Sequence, residues 1–156
     1  MEENTISSIS DIQLAVKEVL EKNTYFVTHG CGILIENAKD IEFQIKNAMG
    51  SLGIVATVAT PSLTYRGDYS DGSSKSPYWE VNSLNVVIVE NPTLNRGRAN
   101  YTTALDAALQ VAETLNEIPE ICNSTISQTT NGGLVVVSVS LKTNIVFGLA
   151  KESEGL

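Results

Sequence analysis

The stretch from Trp79 to Val89 restricts the fold more than any other part of the chain. Read as an extended strand, it puts Leu84, Val86 and Ile88 on one face and Val87 and Val89 on the other. A strand that is apolar on both faces lies under a helix on one side and under something else on the other. The rest of the chain must supply both of those layers.

Helical periodicity precedes it. Ile9, Ile12, Val16, Val19 and Leu20 recur at helical spacing, which predicts a helix over about Ser10 to Glu21, with Ser10 and Gln13 as a capping box and Asn23 as the stop. Thr24 to Ile35 is a mixed stretch with apolar runs at Tyr25-Phe26-Val27 and Ile33-Leu34-Ile35, where Gly30 and Gly32 around Cys31 suggest a bulge, a turn or a break between two short strands. A second helix is expected over Ala38 to Leu52, capped by Asn37, with Ile41, Ile45, Ala48, Met49 and Leu52 as its stripe. Ile54 to Thr64 reads as one strand that Pro61 confines to an edge or bends. Residues 66–79 read as a flexible hairpin tip. After an irregular 90–98 loop, a third helix is expected over Tyr101 to Leu115, with Leu105, Ala108, Leu109, Ala112 and Leu115 facing inward. Ile121 to Gln128 and Leu134 to Leu141 then form a hairpin around Asn131-Gly132, Thr143 to Ala150 extends it, and 151–156 fray. The order predicts a single α+β domain over residues 1–156: a mixed or antiparallel sheet, helices packed on one face, and a long protruding β-hairpin.

Charge narrows the function. Eighteen acidic and ten basic residues give a net charge of −8, and no Lys/Arg run occurs, so autonomous nucleic-acid binding is not expected. Only 18% of residues are charged, which suggests surface that meets protein rather than water. The acidic N-terminal residues lack the pattern of a signal peptide, and the longest apolar runs, Gly53 to Ala59 and Leu134 to Val137, are far shorter than a membrane span. Cys31 and Cys122 have no CxxC spacing and, with His29 as the single histidine, form no zinc set; both read as reduced, buried thiols. A Cys31–His29 pair on one strand face is the single nucleophile candidate, and nothing completes it. No catalytic, metal or cofactor residue is nominated, and an enzyme is not expected.

Candidates for contact remain. Arg66, Tyr69, Tyr78 and Trp79 bring the usual interface residue types to the hairpin, and Asn95, Arg96 and Arg98 occupy the 90–98 loop.

The run Leu84-Asn85-Val86-Val87-Ile88-Val89-Glu90-Asn91-Pro92-Thr93-Leu94-Asn95-Arg96, followed by the Ala/Leu helix, resembles small proteins of tailed-bacteriophage virions. The layout as a whole resembles the tail-terminator and neck proteins that join tail to head. That resemblance implies a homo-oligomeric, hexameric ring without catalytic residues or cofactors. Such a ring caps the tail tube protein and presents a surface to the head–tail connector, while DNA passes through without specific binding. The place implied is the tail or neck of a virion assembled in the host cytoplasm, away from membranes. On this reading the 66–79 hairpin meets the tube or neighbouring ring, and Arg96 and Arg98 form ion pairs between subunits. A head-completion or tail-tube protein of the same virion, and a small ligand-binding regulatory domain with a pocket near His29 and Cys31, are the alternatives.

Overall fold

The computed structural model describes residues 9–66 and 78–148. Helices α1 (Ile9–Glu21) and α2 (Thr24–Thr28) lead into β1 (Gly32–Ile35), α3 (Ile41–Ser51), β2 (Ile54–Val58) and β3 (Ser62–Arg66). Strand β4 (Tyr78–Glu90), the short α4 (Pro92–Asn95) and α5 (Ala104–Leu115) follow. The described chain ends with β5 (Ile121–Asn131), β6 (Leu134–Thr143) and β7 (Val146–Gly148).

The fold is α+β around a mixed sheet. Its strand order is β1-β2-β4-β6-β5, with β3 and β7 pairing with β4. β1 and β2 are parallel and every other pairing is antiparallel. The doubly apolar strand takes the central place in this order. Residues 83–90 of β4 lie beside β6, residues 86–90 also beside β2, and residues 78–80 sit between β3 and β7.

Side-chain parity divides the sheet into two faces. Ile33, Ala56, Val58, Val86, Ile88, Val137 and Val139 join Ile12, Val16 and Leu20 of α1, Phe26 of α2, and Ala108, Val111 and Leu115 of α5 in one core. α1 and α5 cover that face. The reverse face carries Val87, Val89, Val136, Ser138 and Ser140, all half-buried. There only Val55 is fully buried, at the end of the sheet where α3 lies against β1 and β2.

Local chemistry explains where elements depart from their expected form. Thr24–Thr28 is helical rather than extended, because the Asn23 side chain accepts from Tyr25 N and so starts a helix as well as stopping one. Ser10 lies within α1, and Gln13 is fully buried and donates to the Val58 carbonyl at 3.3 Å, so these two residues make no capping box. α3 begins later than expected, with Asp40 rather than Asn37 as its N-cap. The chain bends around a buried Pro61, dividing the expected long strand into β2 and β3. The last hairpin turns on Gly132 (φ 61°) and Gly133 (φ 85°), with Asn131 paired to Leu134. Two positive-φ residues in a two-residue loop suit the right-handed twist of the strands.

The largest difference is the orientation of α5. It turns Ala104, Ala107, Ala108, Val111, Ala112 and Leu115 to the core, while Leu105 and Leu109 stay 45% and 48% exposed. Small alanines let the helix axis approach the sheet closely, so the two leucines are carried to the outer side.

Candidate functional site

Among the described residues four polar or charged ones are buried: Gln13, Glu90, Asn95 and Thr102. Three of them belong to one knot at the end of β4. By strand parity Glu90 falls on the core face with Val86 and Ile88, so its carboxylate must find partners inside the protein. It accepts from Asn95 Nδ2 at 2.8 Å, from Arg96 Nε and Nη2 at 2.9 and 3.3 Å, and from the Ala104 amide at 3.0 Å. Burial works to raise the Glu90 carboxyl. The Arg96 hydrogen bonds, the Ala104 amide, the Asn95 amide and the Arg96 charge outweigh it and hold the carboxyl below its ordinary value. Asn95 Nδ2 also reaches the Thr102 carbonyl at 2.8 Å, and Arg98 Nη2 donates to Asn95 Oδ1 and to the carbonyls of His29 and Gly30.

Two glycines accommodate this knot. Gly30 (φ 65°) lies against the Arg98 guanidinium, where a Cβ would collide, and Gly53 (φ 78°) lies where a Cβ would come within 2.7 Å of Asn95 N. The Gly53 carbonyl accepts from Asn91 N at 2.7 Å, which ties the β2 entry to the loop. Thr103 caps α5 through Asp106 N.

Three of the contact candidates take part in the knot. Asn95 is fully buried. Arg98 turns its guanidinium inward onto its own backbone. The ionic partner of Arg96 is Glu90 of the same chain. Within the subunit they hold the 90–104 segment in shape.

Three of the hairpin candidates, Arg66, Tyr78 and Trp79, are strand residues. Arg66 pairs with Glu80 across β3 and β4 at 2.9 Å and remains exposed. Trp79 is half-buried against Tyr65 of the opposite strand, ring centroids 5.2 Å apart, and Tyr78 is half-buried opposite Arg66. Tyr69 lies outside the described residues.

His29 and Cys31 do not share a strand face. His29 caps the end of α2, stacks beside Tyr25 at 4.4 Å, and donates from Nδ1 to the Asn100 carbonyl at 2.8 Å. Burial pushes the Cys31 thiol up to about 12, against the opposing pull of the Arg98 charge and a backbone hydrogen bond at Ala56. A thiol in that state is not an activated nucleophile. Cys122, expected to be buried as well, is exposed, because it sits at the register shift at the start of the edge strand β5. The two best-formed depressions among the described residues are lined by Lys39–Phe43 and by Val19, Lys22, Asn23, Thr114, Glu117 and Ile118, and neither includes His29 or Cys31. Among those residues no group of three or more His, Cys, Asp or Glu side chains is placed to hold a metal ion. No helix among them is long and apolar enough to cross a membrane.

Two surfaces stand out instead, on opposite layers. The outer side of α5 presents Leu105 and Leu109 one turn apart, beside the exposed Asp106 and Glu113, with Tyr101 and Leu94 also exposed in the segment leading into it. The reverse face of the sheet presents Val, Ser, Thr and Asn side chains from β2, β4, β6 and β5, with Lys142 as the single charge among the paired positions. Sequence reasoning missed the leucines because their spacing also fits an inward stripe. It missed Glu90 as the centre of the knot, although its strand parity was a usable signal. No protein-family model matches the chain, and none of the curated proteins matches it in sequence.

Proposed function

We propose that this protein is a structural subunit that assembles head-to-tail into a ring, in the manner of the tail terminators it resembles, and caps a phage tail tube at the head–tail junction. One observation carries the reading: two different surfaces lie on opposite layers, an exposed leucine pair flanked by Asp106 and Glu113 on α5 and a Ser/Thr/Val sheet face whose single charge is Lys142. A cyclic ring needs two such patches, because in a heterologous interface one surface of each subunit meets a different surface of the next. The leucines of α5 seat on the Ser/Thr/Val sheet face of the neighbour. The hairpin base, with Arg66, Tyr78 and Trp79, is left for the tube or the connector. A net charge of −8 suits a ring that DNA traverses without adhering. Repetition of modest contacts around the tube gives a firm cap.

The interface is tested by placing a charge on either patch. Leu105→Lys with Leu109→Lys, and separately Ser138→Lys, should leave the fold intact and abolish co-sedimentation with tail tubes. Wild-type-like co-sedimentation of both variants would refute this assignment. A tail-tube protein would instead polymerise alone into long tubes.

A further inference from the structure

Strand β5 ends the sheet, and among the described residues β6 is its one partner. Its outer edge is eleven residues long, and nothing from Ile121 to Asn131 is Lys, Arg, Asp, Glu or Pro. Natural sheets protect an open edge with those residues, with a bulge, or by keeping the strand short. Here the one irregularity lies between Ile121 and Asn123, which leaves Asn123–Asn131 as a regular run. Side chains on this run are exposed except Ser124 and Ile126, which are half-buried.

We propose that the free protein is a two-fold dimer in which β5 of each copy pairs antiparallel with the other about Ser127. Length selects the partner. The other strands with an open edge, β1, β3 and β7, offer four, five and three residues, so only a second β5 matches the whole run. Charge selects it as well. Two chains of net charge −8 approach best along a strip that carries no charge, and β5 is such a strip. The side chains are self-complementary in this register. Ser127 faces its own copy and Thr125 faces Thr129, pairs that hydrogen-bond across strands, and no like charges are opposed. Asn123 and Asn131 face each other at the two ends. A nine-residue antiparallel pairing supplies about nine main-chain hydrogen bonds, close to the ~10 of a typical specific interface. A two-fold contact also uses up both edges and stops, so it prevents open-ended sheet growth. The contact does not depend on the ring reading, since it concerns the chain before it meets a tube.

Sedimentation equilibrium of the full chain tests it. Wild type should show a mass twice the 16.7 kDa of the chain. Thr125→Lys with Thr129→Lys sets Lys against Lys at both symmetric pairs and should weaken the dimer about tenfold. Thr125→Lys with Thr129→Glu sets Lys against Glu and should restore it. In a Cys122→Ser background, Ser127→Cys should form a disulfide-linked dimer on mild oxidation, because directly opposed strand residues lie within disulfide reach. A monomer at every concentration, or a dimer indifferent to the Lys/Lys pair, would overturn the proposal. Neither result bears on whether the chain caps tubes.

Discussion

Replacing Glu90 with alanine should be the most damaging single change in the 90–104 segment. The carboxylate is fully buried and receives four hydrogen bonds, from Asn95, Arg96 (two) and the Ala104 amide. Removing it strands the Ala104 amide at the start of α5 and leaves Asn95 Nδ2 with the Thr102 carbonyl alone. A buried donor left without a partner costs about 1–3 kcal/mol, and breaking a buried charge pair about 3–5 kcal/mol. The Arg96 side chain is 45% exposed and regains water, so its share is small. The net expectation is about 3–5 kcal/mol. At about 2–4 °C per kcal/mol for a chain of this size, Tm should fall by roughly 10 °C. Glu90→Gln keeps the volume and one acceptor oxygen and should lose about half as much. The assay is thermal unfolding followed by circular dichroism, repeated across pH. Because the folded-state carboxyl is held below its ordinary value, its stabilisation is present above the unfolded value near ~4.3 and is lost as pH falls through the folded one. Wild type should therefore lose more Tm than Glu90→Gln between about pH 6 and pH 3. A Glu90→Ala protein melting within about 2 °C of wild type would refute the reasoning.

Gly53→Ala forces a side chain into a positive-φ site against the Asn95 backbone and should cost more than the ~1–2 kcal/mol of the left-handed conformation alone. Gly132→Ala, with the same φ sign but open space, should stay within that figure, and urea unfolding of the two variants compares them. Native-state alkylation at neutral pH should label Cys122, which is exposed, and spare Cys31 until the protein unfolds; peptide mass spectrometry reads this directly. Leu105→Lys with Leu109→Lys should leave unfolding within about 0.5 kcal/mol of wild type, since Leu and Lys have similar helix propensity and both sites are half-exposed. A loss above about 2 kcal/mol would mean that these leucines serve the subunit's own core.

The elements best marked in the sequence are those whose pattern has a single solution. The two apolar faces of Leu84–Val89 imply a strand with a layer on each side, and alternation in Val135–Leu141 places Val137, Val139 and Leu141 inside. Where two solutions exist, packing decides between them. The α5 segment has both a Leu-containing stripe and an Ala-rich one, and the sheet accepts the alanines because they allow a closer approach. Thr24–Thr28 has the β-branched and aromatic residues of a strand, yet the Asn23 cap and the burial of Phe26 make it a helical turn. The arginines of the 90–98 loop looked outward because a sequence does not show that Glu90, Asn95 and Thr102 meet in space. The β5 edge was legible as a Ser/Thr-rich strand, but its position at the end of the sheet follows only from the full strand order.

The ring itself is tested most directly by negative-stain microscopy of the purified protein mixed with tail tubes of uniform diameter. A single ring should sit on one end of each tube and stop its further growth when tube protein is added. Bare tube ends, or tubes that continue to lengthen in its presence, would contradict the account.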